Sequence, residues 1–176
     1  MNKTELEQCI DNYGRDIFAF CKQLTGNIPE AEELYQDTFM KVIEKMHSIS
    51  MEGNPKQYFI SVCLRIWKNR QRKFAWRKRL IPVQSFEETY QTDISNCLPS
   101  LEEQAMDDIT REFIRKKVAA LPDKYRLPLY LYYMEDLPMK DISKLLHIPV
   151  GTVKSRLYHA KKILKERLEE SCYEEY

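Results

Sequence analysis

A chain of 176 residues, 43% of them hydrophobic, is long enough for one domain or for two small ones with packed cores. Four glycines and eight prolines exclude low complexity, and no apolar run approaches the roughly 18 residues of a membrane-spanning helix. With 28 basic against 27 acidic residues, a net charge of +1 excludes neither nucleic acid nor protein as partner, so the placement of charge decides.

The opening stretch MNKTELEQCIDNYG is polar and acidic. It has no basic start followed by an apolar block, so no signal peptide and a cytoplasmic location are expected. The cysteines, Cys9, Cys21, Cys63, Cys97 and Cys172, form no CxxC pair and have no histidine at metal-ligand spacing. Reduced, structural thiols are expected, and no metal or other cofactor.

Residues 4–24 are predicted as a first helix, with Leu6, Ile10, Tyr13, Ile17, Phe20 and Leu24 on one face. Thr25-Gly26-Asn27 stops it, and Pro29 sits where a new helix can begin. The second helix, residues 29–46, aligns Ala31, Tyr35, Phe39, Val42 and Met46, with Leu34 and Ile43 widening the stripe. Glu32, Glu33, Gln36, Asp37, Lys41 and Glu44 stay polar, which by itself needs no more than a solvated face. After a loop over 48–54, a third helix spans 55–79 and buries Phe59, Ile60, Cys63, Ile66, Trp67 and Phe74. The rest of it carries Arg65, Lys68, Arg70, Arg72, Lys73, Arg77, Lys78 and Arg79, with no acid among them. Like charges at this density repel unless a polyanion meets them. Trp67, Phe74 and Trp76 lie among the cations. That combination suits single-stranded DNA, whose bases stack while the backbone follows a basic groove. Trp76 is the better surface candidate; Trp67 can equally be core.

Residues 81–106 lack strong periodicity, contain Pro82 and Pro99, and are acidic, so they are expected to be a flexible linker. About 25 extended residues reach roughly 80 Å, enough to span the about 70 Å of two duplex turns. A helix over 107–121 then uses Ile109, Phe113, Val118 and Leu121, and Pro122 and Asp123 break it. The helix over 124–134 holds Tyr125, Leu129, Tyr132 and Tyr133, with Pro128 tolerated near its first turn. Next come two helices joined by a tight turn. The first, over 139–147, buries Ile142, Leu145 and Leu146; Pro149 breaks the chain and Gly151 is expected to permit a close approach. The second carries Val153, Leu157, Ala160, Leu164 and Leu168 as one stripe. Residues 169–176 are expected to fray.

Opposite that stripe point Ser155, Tyr158, His159 and Lys162, with Lys154 and Lys161 on one flank and Arg156 on the other. Donors there can meet base acceptors in a major groove, and cations can meet phosphates. Periodicity alone leaves a plain solvated helix equally open. The short preceding helix and the turn favour a helix-turn-helix, which needs both.

The stretch LPDKYRLPLYLYYMEDLPMKDISKLLHIPVGTVKSRLYHAKKILKERL resembles the fourth domain of sigma-70-family transcription initiation factors, most specifically in IPVGTVKSRLYHAKK. AEELYQDTFMKVIEKM resembles the sigma segment that docks on a coiled coil of the clamp of the largest polymerase subunit. This implies core-polymerase binding by Glu33, Gln36 and Asp37, with Leu34, Tyr35 and Phe39 carried along in the docking segment, more as packing than as contacts. YFISVCLRIWKNRQRKFAWRKR resembles the segment that captures the melted −10 element. This implies −10 contacts from Arg65, Lys68, Asn69, Arg72, Lys73, Trp76 and Arg77. Many relatives carry Asn where Arg65 falls and an acid where Asn69 falls, so the preferred −10 base does not carry over. In the fourth domain the resemblance implies a −35 set of Thr152, Lys154, Ser155, Arg156, Tyr158, His159, Lys161 and Lys162. Lys154, Ser155, Tyr158 and His159 are expected at base edges, and Arg156, Lys161 and Lys162 at phosphates.

These segments stand in the family's order, without the extra domains of larger sigma factors, which is the form of the extracytoplasmic-function (ECF) group. An all-α fold is expected: sigma region 2 over 1–80, the linker over 81–106, and sigma region 4 over 107–176. The resemblance implies a sigma factor that brings polymerase core to promoters and promotes −10 melting. Its implied partners are the clamp, the flap of the second-largest subunit, promoter DNA and an anti-sigma factor, with no membrane insertion. A helix-turn-helix regulator acting without polymerase is the alternative, but it leaves residues 29–46 and 60–79 without a role. Enzymatic activity is not expected, because His47, His147 and His159 lack a catalytic constellation and no phosphate-binding glycine loop is present.

Overall fold

The structure, a computed structural model, describes residues 1–45, 54–80 and 102–173. Among them every regular element is a helix: α1 (Lys3–Thr25), α2 (Ile28–Lys45), α3 (Pro55–Leu80), α4 (Glu102–Ala119), α5 (Asp123–Tyr133), α6 (Met139–Leu146) and α7 (Val150–Tyr173). They belong to two units, Met1–Ile94 and Ser95–Tyr176. The expected loop up to residue 53 and the expected linker over 81–101 lie outside the described residues, as do Met46, His47, Cys97 and the side chains of Ile109 and Cys172.

Asparagines start the helices of the first unit. The Asn2 side chain accepts from the Glu5 N–H while the Glu5 carboxylate accepts from the Asn2 N–H, both at 2.8 Å. This reciprocal pair satisfies two donors that the first turn leaves open. Asn27 caps α2 through the Glu30 N–H at 2.9 Å, and Asn54 caps α3 through the Gln57 N–H at 3.3 Å. Gly26 ends α1 at φ 78°, where a side chain would be strained, and donates to the Lys22 carbonyl.

α1, α2 and α3 pack on one another around Ile17, Phe20, Cys21, Leu34, Val42, Phe59, Ile60, Cys63, Leu64 and Trp67. Tyr35 stacks toward Phe18 and Phe39, and Phe39 toward Phe59, with centroids 5.6, 4.6 and 5.0 Å apart. Gly14 lets α1 approach α2, since a Cβ there would lie 3.0 Å from the Tyr35 hydroxyl. Thr38 is buried because its hydroxyl donates back to the Leu34 carbonyl at 2.7 Å. Ile10, Ile43 and Phe74, expected inside, are exposed, and Cys9, Val62 and Leu64 are buried in addition to the expected set. Phe74 is 53% exposed because every side chain from Gln71 to Arg79 stands in solvent. α3 outruns its partners there.

In the second unit α7 packs against α4, α5 and α6. α4 begins at Glu102, inside the stretch expected to be linker. Its first turns are Glu-rich and nearly without apolar periodicity, yet acids at a helix N-terminus favour the helical dipole. α5 is buried along Leu127–Leu131, Pro128 included, rather than along the alternating face expected; Tyr133 faces out. Arg126 ties α5 to α4, pairing with Asp123 at 2.6 Å and donating to the Ala119 carbonyl at 3.3 Å. α7 continues to Tyr173, past the expected fraying point. Lys162–Glu166 and Lys165–Glu169, at 3.8 and 3.6 Å, add one-turn pairs along it.

The turn between α6 and α7 rests on His147, not on Gly151. His147 adopts φ 56°, ψ 46°, and the Ile148 N–H then reaches back to the Ser143 carbonyl at 3.1 Å. The Ser143 hydroxyl closes the loop on the Ile148 carbonyl at 2.6 Å. Gly151 lies inside α7, and a Cβ there meets nothing within 4 Å, so no close approach requires it.

Candidate polymerase and nucleic-acid interfaces

Three exposed faces hold the residues singled out from the sequence. The first is the outer side of α2. Glu33, Gln36 and Asp37 are exposed and adjacent, one turn apart or neighbouring. Met40 and Ile43, both exposed, extend the same side toward the end of the helix. Periodicity hid them because it assigned Ile43 to the core. Leu34 and Phe39 do not belong to this face. Leu34 is fully buried and Phe39 nearly so, because both point between α1 and α3. They hold α2 in place and cannot touch a partner directly.

The acids of this face are met from below by α3. Arg70 Nη2 lies 2.5 Å from Asp37 Oδ2, and Arg70 Nη1 lies 3.6 Å from Glu33 Oε2. Sequence reasoning counted Arg70 in the basic tract and gave it no part in the −10 set; only the crossing of α2 and α3 shows that it pairs with the acids.

The second face is the outer side of α3. At about 100° per residue, Arg65, Asn69, Arg72 and Trp76 fall within an arc of about 60°. All four are exposed, as are Lys73 and Arg77, while Lys68 is half-buried. Arg72 donates to the Asn69 side-chain oxygen at 2.9 Å, which holds the guanidinium along the helix. Trp76 is 64% exposed and Trp67 is core, so the two tryptophans part company as surface and interior. Phe74, exposed two residues before Trp76, lies on the opposite side of the helix and adds a second ring outside that arc.

The third face belongs to α7. Val153, Leu157 and Ala160 are buried, which turns Lys154, Ser155, Tyr158, His159, Lys161 and Lys162 outward; Thr152 and Arg156 are half-buried. Ser155 donates its hydroxyl to the Thr152 carbonyl at 3.0 Å, leaving its lone pairs outward. Tyr158, 67% exposed, stands edge-on to His159 with centroids 5.7 Å apart. Two α5 residues buttress this face. Tyr125 lies 6.3 Å from the His159 ring, and Tyr133 lies under the Lys161 ammonium at 5.3 Å. A hydrogen bond to Tyr133 pushes the Lys161 ammonium above the ordinary lysine value, so it stays charged. No local pattern could have revealed these supports, because they come from a different helix.

Residues 9–78 match the sequence profile of Sigma-70 region 2, and residues 112–164 that of Sigma-70, region 4. The chain belongs to the sigma-70 family. Within the family it is an ECF sigma factor. It is 28% identical to the ECF RNA polymerase sigma factor SigW of Bacillus subtilis, over 90% of this chain and 86% of that one. It is 26% identical to SigM of the same organism, over 91% and 93%. Among solved structures, the sigma factor RpoE from Bartonella quintana, in complex with the anti-sigma factor NepR, shares the fold at TM-score 0.70 and 22% identity, over 94% of this chain and 97% of that one. CnrH, in complex with the cytosolic domain of CnrY, does so at TM-score 0.66 and 12% identity, over 96% and 90%. As a sigma factor, this protein directs RNA polymerase to promoters. No helix among the described residues is long and apolar enough to cross a membrane.

Proposed function

We propose that this sigma factor divides promoter recognition between its two units, and that it contributes positioning and strand capture rather than bond-making. The α2 face, through Glu33, Gln36 and Asp37, docks on the clamp of the largest polymerase subunit. The α3 face holds the unpaired −10 strand, with Arg65, Lys68, Arg72, Lys73 and Arg77 following phosphates and Trp76 stacking on a base. Asn69 supplies an amide for a base edge. The α7 face enters the major groove of the −35 duplex, with Lys154, Ser155, Tyr158 and His159 at base edges and Thr152, Arg156, Lys161 and Lys162 on the backbone. The flap of the second-largest subunit touches the second unit, and the protein works in the cytoplasm.

The observation that carries this reading is the exposed end of α3. From Gln71 to Arg79 it presents five cations, Gln71, Ala75 and two bare rings, with no acid and no covering side chain among the described residues. A solitary duplex binder has no use for such an end. An operator-binding regulator needs only the α7 face.

The test is in vitro transcription with bacterial core polymerase and the full chain, with starts mapped and unpaired bases probed chemically. Start selection with reactive bases near −10 supports the reading; duplex binding without start selection refutes it. RpoE and CnrH are each seen with a partner, NepR and CnrY. An anti-sigma factor for this chain is proposed on that likeness. Recovery of polymerase alone from the native host by pull-down counts against it.

A further inference from the structure

Arg70 stands out because it lies on the basic helix yet turns away from the basic face. Glu33 and Asp37 are one turn apart on α2, so their like charges repel and their side chains would spread apart. Arg70 crosses from α3 and sets one guanidinium nitrogen against each carboxylate, at 3.6 and 2.5 Å. The arginine side chain is 35% exposed, against 72% for Glu33 and 55% for Asp37. The cation therefore sits in the seam between the helices, and the carboxylates lie outside it. A carboxylate offers about four lone-pair sites, so one held from beneath still accepts from a partner above.

We propose that Arg70 is a positioning residue for polymerase docking: its planar fork fixes the Glu33 and Asp37 carboxylates in the geometry that the clamp meets. This rests on the α2 docking surface proposed above. The shape of the fork matters as well as its charge. A guanidinium presents several N–H donors in one rigid plane and can span two acids; a lysine ammonium is a point charge on a flexible stem and cannot hold both in place. Without the fork, both acids must be ordered at the moment of docking.

Three substitutions in the full chain test this, with affinity for core polymerase measured in the absence of promoter DNA. Arg70→Lys keeps the charge and loses the fork; Arg70→Gln loses both; Asp37→Asn removes the better-held acid. Freezing one or two side chains costs enough that both Arg70 variants are expected to bind core about three- to ten-fold more weakly. Adding Arg70→Gln to Asp37→Asn is expected to weaken binding less than the two single losses combined, because both act through one contact. A role in charge balance alone predicts otherwise: Arg70→Lys unchanged, and Arg70→Gln tighter through a more negative patch; either result overturns the inference. Lower thermal stability with core affinity intact also overturns it. If Asp37→Asn weakens core binding and the Arg70 variants do not, only the positioning role falls. If Asp37→Asn leaves affinity unchanged, the docking surface falls and the inference with it.

Discussion

Tyr158 and Lys162 share the outer side of α7 but have different proposed roles on a duplex. Tyr158 is exposed and stands edge-on to His159, and the proposed reading puts it at a base edge and Lys162 at a phosphate. Tyr158→Ala is expected to weaken binding to particular −35 sequences by about 1–3 kcal/mol, and Lys162→Ala to weaken all sequences alike and flatten the salt dependence. Equal losses on every sequence for Tyr158→Ala would rule out base reading. Tyr130 offers a test of the interior. Burial pushes its phenol above the ordinary value of 10.0, an effect that Arg126 opposes and Asp123 reinforces. The unfolded chain therefore loses this proton first as pH rises past 10, and folding stability falls there. Tyr130→Phe should soften that alkaline loss in urea unfolding series. At neutral pH it should cost little or stabilise, since the buried hydroxyl has no partner among the described residues.

At the scale of elements, the helix-turn-helix depends on a left-handed residue just after α6. His147 takes that conformation at a cost that glycine escapes. His147→Gly is expected to raise stability by about 0.5–1 kcal/mol. Gly151→Ala is expected to be neutral or stabilising by up to about 0.5 kcal/mol, because the new methyl meets open space on a helix. Thermal melts of the two variants check both, and a large destabilisation by Gly151→Ala would contradict the turn as described. The helix order and most helix ends could be read from the sequence, because caps, glycines and prolines act within four residues of themselves. What could not be read were features set by neighbours. Leu34 and Phe39 entered the docking set by adjacency to the acids although packing was their favoured role, and their burial makes them packing alone. Phe74 looked like core by period, but α3 outruns its partners there.

At the scale of the whole molecule, the two proposed DNA-reading faces on one chain make promoter geometry a test. If both faces are engaged at once, lengthening the distance between the −35 and −10 boxes by about five base pairs, half a duplex turn, turns one box away from its reader. Transcription directed by the full chain should then fall to background. Undiminished transcription with the longer spacing would mean that the faces are not used together. The salt dependence of promoter binding should be steep, since cations line both α3 and α7.

The amino-acid order alone determined the all-α class, the family, the basic tract on α3 and the outward set on α7. Each depends on local periodicity or on a contiguous run of residues, and those survive without knowledge of what packs where. Only the tertiary structure decided which apolar residues face inward, which acids carry a cation beneath them, and which tyrosines of α5 support the residues of α7. These depend on the angle at which two helices meet, and that angle emerges from the packing of residues far apart in the chain.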